Sequence, residues 1–360
     1  MKNIIAVGFL FLATCTYTAA QTVNNKSITW EASDDNGKTK LIVKGEVSMS
    51  DDDERIVSIA KNGAINFEQK LNKLQVTPGD NGKLIYRVNK REKAMLDADD
   101  KKLLQNAIHM MISRGINAEA RTKRLYAKSG TRGVLQELPK LHGDYARQKY
   151  LSTLLTLGIS TTEMTNILKA SGQYLTSDYY NAELLADVMK TYLLEEETST
   201  AYLAIVRNMK SDYYQHSTLQ KLMKNELTSE QMTSVVGIIK TMKSDYYQSQ
   251  VYNDLLKQAS FGGAAFEEAI ALVFGMKSDY YKTEIVKNLI KRELTDADWT
   301  SLLSYANKIG SDYYQSELIL NIADKMPDKE VLKKGLLEAA KTIKSEYYYG
   351  KVMRKITTSS

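Results

Sequence analysis

Cysteine is almost missing from this 360-residue chain: Cys15 is the only one, and proline (3), histidine (3) and tryptophan (2) are nearly as scarce. One thiol closes no intrachain disulfide and completes no zinc-thiolate site, so disulfide scaffolds and thiol redox switches are excluded. A chain of this size without disulfides must rely on its apolar core. The histidines His109, His142 and His216 fall at unrelated positions, with no Asp or Glu at metal spacing. They read as ordinary surface or core side chains, not as metal ligands or general bases. With so little proline, no segment reads as a flexible linker.

Other signatures are missing as well. There is no Gly-x-Gly-x-x-Gly, no phosphate loop and no Gly-x-Ser-x-Gly elbow, and Gly262-Gly263 reads as the turn between two helices of one unit. The acidic runs Asp51-Asp52-Asp53-Glu54 and Asp97-Ala98-Asp99-Asp100 lack the alternating ligands, central glycine and distal glutamate of a calcium loop, so they read as turns or helix starts. The expectation is no enzyme, with no catalytic residue, no metal and no cofactor. Formal net charge is +6, and lysines and arginines are intermixed with acids along the chain. Without a basic block to track phosphates, nucleic acid is not expected as a partner.

What is present begins with an export signal. Lys2 precedes the apolar run Ile4 to Ala13, and a small-residue stretch ends at Thr18-Ala19-Ala20 before Gln21. That order reads as a secretory signal peptide over residues 1–20. Its apolar core is half the roughly twenty residues a spanning helix needs, so no transmembrane segment is expected in the mature chain. Leu12-Ala13-Thr14-Cys15 resembles a lipoprotein box, but Thr14 is a poor residue before the cysteine and the site at Ala20 is better formed. The chain is therefore expected to be exported, periplasmic or extracellular, with lipid anchoring at Cys15 disfavoured.

The dominant signal is internal repetition. Ser-Asp-Tyr-Tyr starts at Ser177, Ser211, Ser244, Ser278 and Ser311, the variant Ser345-Glu346-Tyr347-Tyr348 follows, and the degenerate Gly143-Asp144-Tyr145 precedes them, all at intervals of 33 or 34 residues. After each word the apolar residues fall on one helical stripe, as in Leu184, Leu185, Val188 and Met189, or Ile285, Val286, Leu289 and Ile290. A second helix begins at a capping box: Ser160 with Glu163, Thr228 with Gln231, Thr295 with Asp298. Its stripe runs Met232, Val235, Val236, Ile239, Met242 in one unit and Trp299, Leu302, Leu303, Ala306, Ile309 in another. The repeated word sits at the junction between units, where its Ser or its Asp can cap the next helix, with Gln215, Gln248 and Gln315 at capping-box spacing.

These features predict a mainly α chain: a HEAT-like α-solenoid of about seven two-helix repeats over 143–360, a helical cap over 96–142, and a small antiparallel β domain over 21–95. The β reading rests on alternation in Ile28 to Glu31 and Leu41 to Val47, with turn signals at Asp35-Asn36-Gly37, Asp51 to Asp53, Asn62-Gly63 and Asn81-Gly82. It gives five or six strands. The tetratricopeptide and ankyrin signatures are absent.

The words, together with Gly45-Glu46-Val47, Asp51-Asp52-Asp53 and Ile56-Val57-Ser58-Ile59, resemble a group of uncharacterised bacterial exported proteins with SDYE-type helical repeats. Similar segments occur behind membrane metallopeptidase domains of the antibiotic-sensor type. That resemblance brings no established activity; it implies a sensing or docking role. The peptidase's His-Glu-x-x-His motif is missing from this chain.

Two arguments about the tyrosines disagree. On a helical wheel the second Tyr of each word lies beside the apolar stripe and the first roughly opposite, yet in the similar SDYE repeats it is the second position that is polar. Taking the resemblance as the guide, and unless both rings simply pack, the candidate binding row is the second tyrosines: Tyr180, Tyr214, Tyr247, Tyr281 and Tyr314. The sequence thus points to a non-catalytic exported interaction module that presents an extended solenoid surface to a protein or peptide partner, in envelope sensing. A glycan-binding surface protein using the tyrosine row is the alternative. The first expectation is checked by intact mass of protein purified from its native host: a mature chain starting at or near Gln21 and carrying no lipid, against a diacylated chain starting at Cys15.

Overall fold

A computed structural model describes residues 18–24, 27–34, 37–192 and 194–358; residues 1–17 of the expected signal peptide, Cys15 included, lie outside them. By its internal contacts the chain divides into two compact units, one through Thr176 and one from Ser177. The degenerate repeat that begins at Gly143 therefore belongs with the β domain in the first unit, not with the five Ser-Asp-Tyr-Tyr units.

In the first unit an antiparallel sheet is built from β1 (Thr18–Asn24), β2 (Ser27–Asp34), β3 (Gly37–Lys44), β6 (Ala64–Gln69), β7 (Asn72–Pro78), β8 (Leu84–Val88) and β9 (Arg91–Lys93), in that spatial order. Strands β4 (Val47–Met49) and β5 (Ile56–Ile59) form a separate hairpin. Alternate residues Leu41 and Val43, Ile65 and Phe67, Leu74 and Val76 point to one face, where they pack with Leu103, Ala107, Ile108 and Met111 of helix α1 (Ala98–Ser113).

The nine strands among the described residues exceed the five or six expected, and the backbone shows why. The hairpins at Lys70-Leu71 and Asn89-Lys90 turn through left-handed residues that are not glycine: φ is +56° at Lys70, +50° at Asn89 and +69° at Lys90. Two successive positive φ values make the two-residue β8–β9 connection the primed type that matches strand twist, yet no Asn-Gly or Asp-Gly pair announces it. Strand β1 begins at Thr18, so the expected cleavage after Ala20 falls inside it.

Helices α2 (Ala118–Leu135), α3 (Asp144–Leu154) and α4 (Thr161–Tyr174) complete the first unit. The second unit holds eleven helices: α5 (Asp178–Thr191), α6 (Glu196–Asn208), α7 (Asp212–Leu222), α8 (Ser229–Ile239), α9 (Asp245–Leu255), α10 (Gly263–Gly275), α11 (Asp279–Leu289), α12 (Asp296–Tyr305), α13 (Asp312–Lys325), α14 (Glu330–Lys341) and α15 (Glu346–Thr358). Odd helices pack on odd and even on even: α5 on α7, α7 on α9, and on to α15; α6 on α8, and on to α14. This two-layer stacking of neighbours is the α-solenoid that the 33–34-residue period requires. All three capping boxes form, and the apolar stripes read from the sequence are buried apart from the half-buried Met189, with Val235, Val236, Leu302 and Leu318 fully so.

The aspartate of the repeated word joins successive units. Asp178 Oδ2 accepts the backbone N–H groups of Lys210 and Ser211, both at 2.8 Å. Asp212 does the same for Lys243 and Ser244 at 2.9 and 2.7 Å. Asp245 accepts from Ser278 at 2.6 Å, Asp279 from Ser311 at 2.8 Å, and Asp312 from Ser345 at 2.9 Å. In the first unit Asp144 takes the Thr176 amide at 2.8 Å. Thus the aspartate does not cap its own helix. It sits at the first helical position and satisfies an amide just before the next odd helix, while the serine holds the N-cap position.

Removing that acceptor leaves a part-buried N–H without its partner, which costs about 1–3 kcal/mol. Asp245→Ala is therefore expected to lower the unfolding free energy by that amount, seen as a lower denaturation midpoint with an unchanged slope, and Asp245→Asn, which keeps an amide oxygen, to lose less. Equal losses in urea unfolding would show that charge, and not the accepted hydrogen bond, is what matters.

Candidate functional site

Because the repeated word starts every odd helix of the second unit, and those helices stack on one another, its tyrosines are brought into register along one edge of that unit. Within a word the two rings meet edge to face, at 5.0–5.1 Å between centroids. The first ring of each word also meets the second ring of the next: Tyr179 with Tyr214 at 6.3 Å, Tyr213 with Tyr247 at 6.2 Å, Tyr246 with Tyr281 at 6.3 Å, Tyr280 with Tyr314 at 6.2 Å, Tyr313 with Tyr348 at 5.9 Å. Interplanar angles stay between 63° and 71° at all five junctions. The result is an unbroken ladder from Tyr180 to Tyr347, each step in the T-shaped geometry that ring quadrupoles favour.

Exposure along the ladder is the reverse of the row chosen from sequence. Tyr179, Tyr213, Tyr246, Tyr280, Tyr313 and Tyr347, the first of each word, are 39–70 % exposed. Tyr180, Tyr214, Tyr247, Tyr281 and Tyr314 are half-buried. The helical wheel gave the right answer and the resemblance to SDYE repeats the wrong one. The second ring lies beside the apolar stripe of its own helix and is covered by the first ring of the preceding unit, whereas the first ring points away from the stripe. Burial, with Glu183 and Tyr214 nearby, pushes the Tyr179 hydroxyl above the ordinary tyrosine range, so it remains a protonated donor at neutral pH.

The position two residues beyond the second ring's neighbour Asp-Tyr pair, four after the serine, was read as a capping-box partner and is something else. Gln215, 3 % exposed, donates Nε2 to the Met209 and Val206 carbonyls at the end of α6, at 3.2 and 3.3 Å. Gln248 donates to Met242 at 2.9 Å. Lys282, buried in the same column, reaches Asp279 and the Lys308 carbonyl, and Arg147 in the first unit donates to Leu138, Leu141 and Tyr174. Amide, ammonium and guanidinium share one job here, which is to satisfy carbonyls left open at even-helix ends. Lining the repeats up in columns shows the run Arg147, Asn181, Gln215, Gln248, Lys282, Gln315, the signal by which it could have been found; Gln315 donates instead to the Thr342 hydroxyl just after α14.

His109 and His142 line one cleft of about 580 Å³ in the first unit, with Asp53, Arg121, Glu137 and Lys140. Its charges are paired among themselves: Arg121 bridges Asp53 and Glu137 at 2.5 and 2.8 Å, and Arg124 reaches Asp53 at 2.7 Å. Burial, then Arg114 and Arg147, holds the His142 imidazole below its ordinary pKa. The Asp51 to Glu54 run is therefore an arginine-bound turn, with Asp52 accepting from Ser50. Asp97 and Asp100 form a capping box at the start of α1 and share Lys93. His216 stands apart in the second unit, 3.9 Å from Asp254, with burial lowering its pKa. Among the described residues no group of three or more His, Cys, Asp or Glu could hold a metal ion, and no helix is long and apolar enough to cross a membrane.

No protein-family model and no curated protein matches the chain. Among solved structures it is similar to one from the computational design of self-assembling cyclic protein homooligomers, with 12 % identity, 71 % of this chain and 82 % of that chain covered, and a TM-score of 0.13, too low to carry an argument.

The ladder's asymmetry is open to mutation. Tyr214→Ala removes a half-buried ring and its two edge-to-face partners and is expected to cost about 2–3 kcal/mol. Tyr213→Ala gives up two ring pairs on an exposed edge, about 1 kcal/mol. Chemical denaturation of the two single variants decides the order, and a larger loss at Tyr213 would contradict the exposure described here.

Proposed function

We propose that the protein is a non-catalytic exported binding module, and that the exposed first tyrosines of the solenoid unit are its contact surface for a protein or peptide partner. The observation that carries this reading is the ladder itself. An amphipathic ring offers apolar area and a hydroxyl with only two side-chain torsions to freeze, and here the exposed rings from Tyr179 to Tyr313 are each already held between two others. The ordering cost that usually opposes association is thereby reduced before any partner arrives. Six such rings on one edge also allow several weak contacts to act together, so affinity can exceed that of any single ring.

The test uses the immobilised full chain, an envelope extract of the native host, and the double variant Tyr213→Ala/Tyr246→Ala, its fold verified by circular dichroism. A specific polypeptide retained by the parent chain, reduced about tenfold or more on the variant and lost when the extract is first digested with protease, supports the reading. Retention that survives protease digestion but not polysaccharide hydrolysis would replace the protein partner by a glycan. Retention equal on parent and variant would remove the ladder from the binding surface.

A further inference from the structure

Resting on that reading, we infer that the ladder's partner is a proline-rich segment in the polyproline II conformation, laid along the exposed rings of Tyr179, Tyr213, Tyr246, Tyr280, Tyr313 and Tyr347.

Successive exposed rings belong to neighbouring packed helices, whose axes lie about 8–10 Å apart. The two ring-to-ring steps that link one exposed ring to the next, 6.3 and 5.1 Å at the Tyr179 to Tyr213 junction, allow that spacing. A polyproline II chain turns once every three residues and advances about 9.3 Å in doing so. It therefore presents the same face to each ring, unit after unit. An extended β-strand repeats its side-chain face at about 6.6 Å and falls out of step after one junction. An α-helix seven residues on advances about 10.5 Å, but an amphipathic helix needs an apolar stripe 100° wide or more. The ladder offers the width of one exposed ring, flanked one turn further along each helix by Glu183, Ser217, Gln250, Glu284 and Glu317.

Hydrogen bonding points to the same occupant. Polyproline II has no internal hydrogen bonds, so its carbonyls need donors, and the tyrosine hydroxyls supply them. A helix would bring carbonyls already satisfied. Aromatic-lined surfaces recognise such segments by stacking on proline rings, at low entropic cost because the segment is preformed.

Charge gives the third reason. Four of the six words are preceded by an exposed lysine, Lys210, Lys243, Lys277 and Lys344, two residues before the word's acid, and the other two by Thr176 and Gly310, while Glu183, Glu284 and Glu317 lie one turn further along their helices. The edge thus has no dominant sign, and a partner recognised there is selected by shape and rings more than by net charge. A neutral proline-rich segment meets that condition, and a strongly anionic or cationic polymer does not.

Proline homopeptides of about six, twelve and eighteen residues, spanning about two, four and six units, are titrated against the full-length protein, with glycine-serine peptides of the same lengths as controls. Expected is affinity that rises about tenfold or more from the shortest to the longest proline peptide, as the number of engaged rings grows, with no binding of the controls. Tyr213→Phe/Tyr246→Phe/Tyr280→Phe, which keeps every ring and removes three hydroxyls, is expected to weaken binding without abolishing it. Tyr213→Ala/Tyr246→Ala is expected to flatten the length dependence while the chain stays folded. No binding of the longest proline peptide, affinity independent of length, or equal binding of the controls overturns the inference. A native partner lost on the alanine variant in the extract experiment, together with no proline-peptide binding, would sink the polyproline assignment while leaving the ladder as the binding surface.

Discussion

One carboxylate oxygen per repeat holds the register of the solenoid unit. Each aspartate of the repeated word accepts an amide hydrogen from the start of the next word, 32 or 33 residues later. Apolar stripes alone would let neighbouring helices slide, because hydrophobic burial is non-directional. A charge-assisted hydrogen bond between two helix starts fixes both distance and direction. It also places one word beside the next at every junction, so that rings adjacent in sequence can meet rings from the neighbouring unit.

The tyrosine ladder follows from that placement. Given the aspartate bond, the second ring lies over the odd-helix stripe and the first ring has its own partner on one side and the following unit's on the other. The donors four residues after the serine reach groups at even-helix ends: carbonyls from Gln215, Gln248 and Lys282, and the Thr342 hydroxyl from Gln315. Every letter of the word then has a structural role: serine at the N-cap, aspartate between units, the second ring as half-buried filler, the first ring exposed. Only the first ring has area left over for anything else.

Much of this could be read from the residues. The period, the two helices per unit, the capping boxes and the buried stripes all came from local patterns whose physics is local: 3.6-residue periodicity and hydroxyl-to-amide capping. What escaped were relations between units. Asp212 looks like a cap for its own helix because capping is the nearest use for an aspartate before a helical run, and nothing in the neighbouring residues shows an amide arriving from 32 positions away. Gln215 was misread for the same reason. The tyrosine rows were misassigned when a resemblance was allowed to override the wheel. The β domain was undercounted because Lys70, Asn89 and Lys90 adopt left-handed conformations that glycine usually announces.

The near-constant geometry of the five ladder junctions gives the edge the character of a graduated scale. In a stack where each unit touches chiefly its neighbours, a small error of fit at one junction is passed on and added to the next. A linear molecule whose own repeat differs slightly from that of the scale can satisfy one or two rings and then drifts out of step, as the marks of a vernier do. Discrimination between repeat lengths therefore sharpens with every additional unit engaged, although no single ring distinguishes one ligand from another.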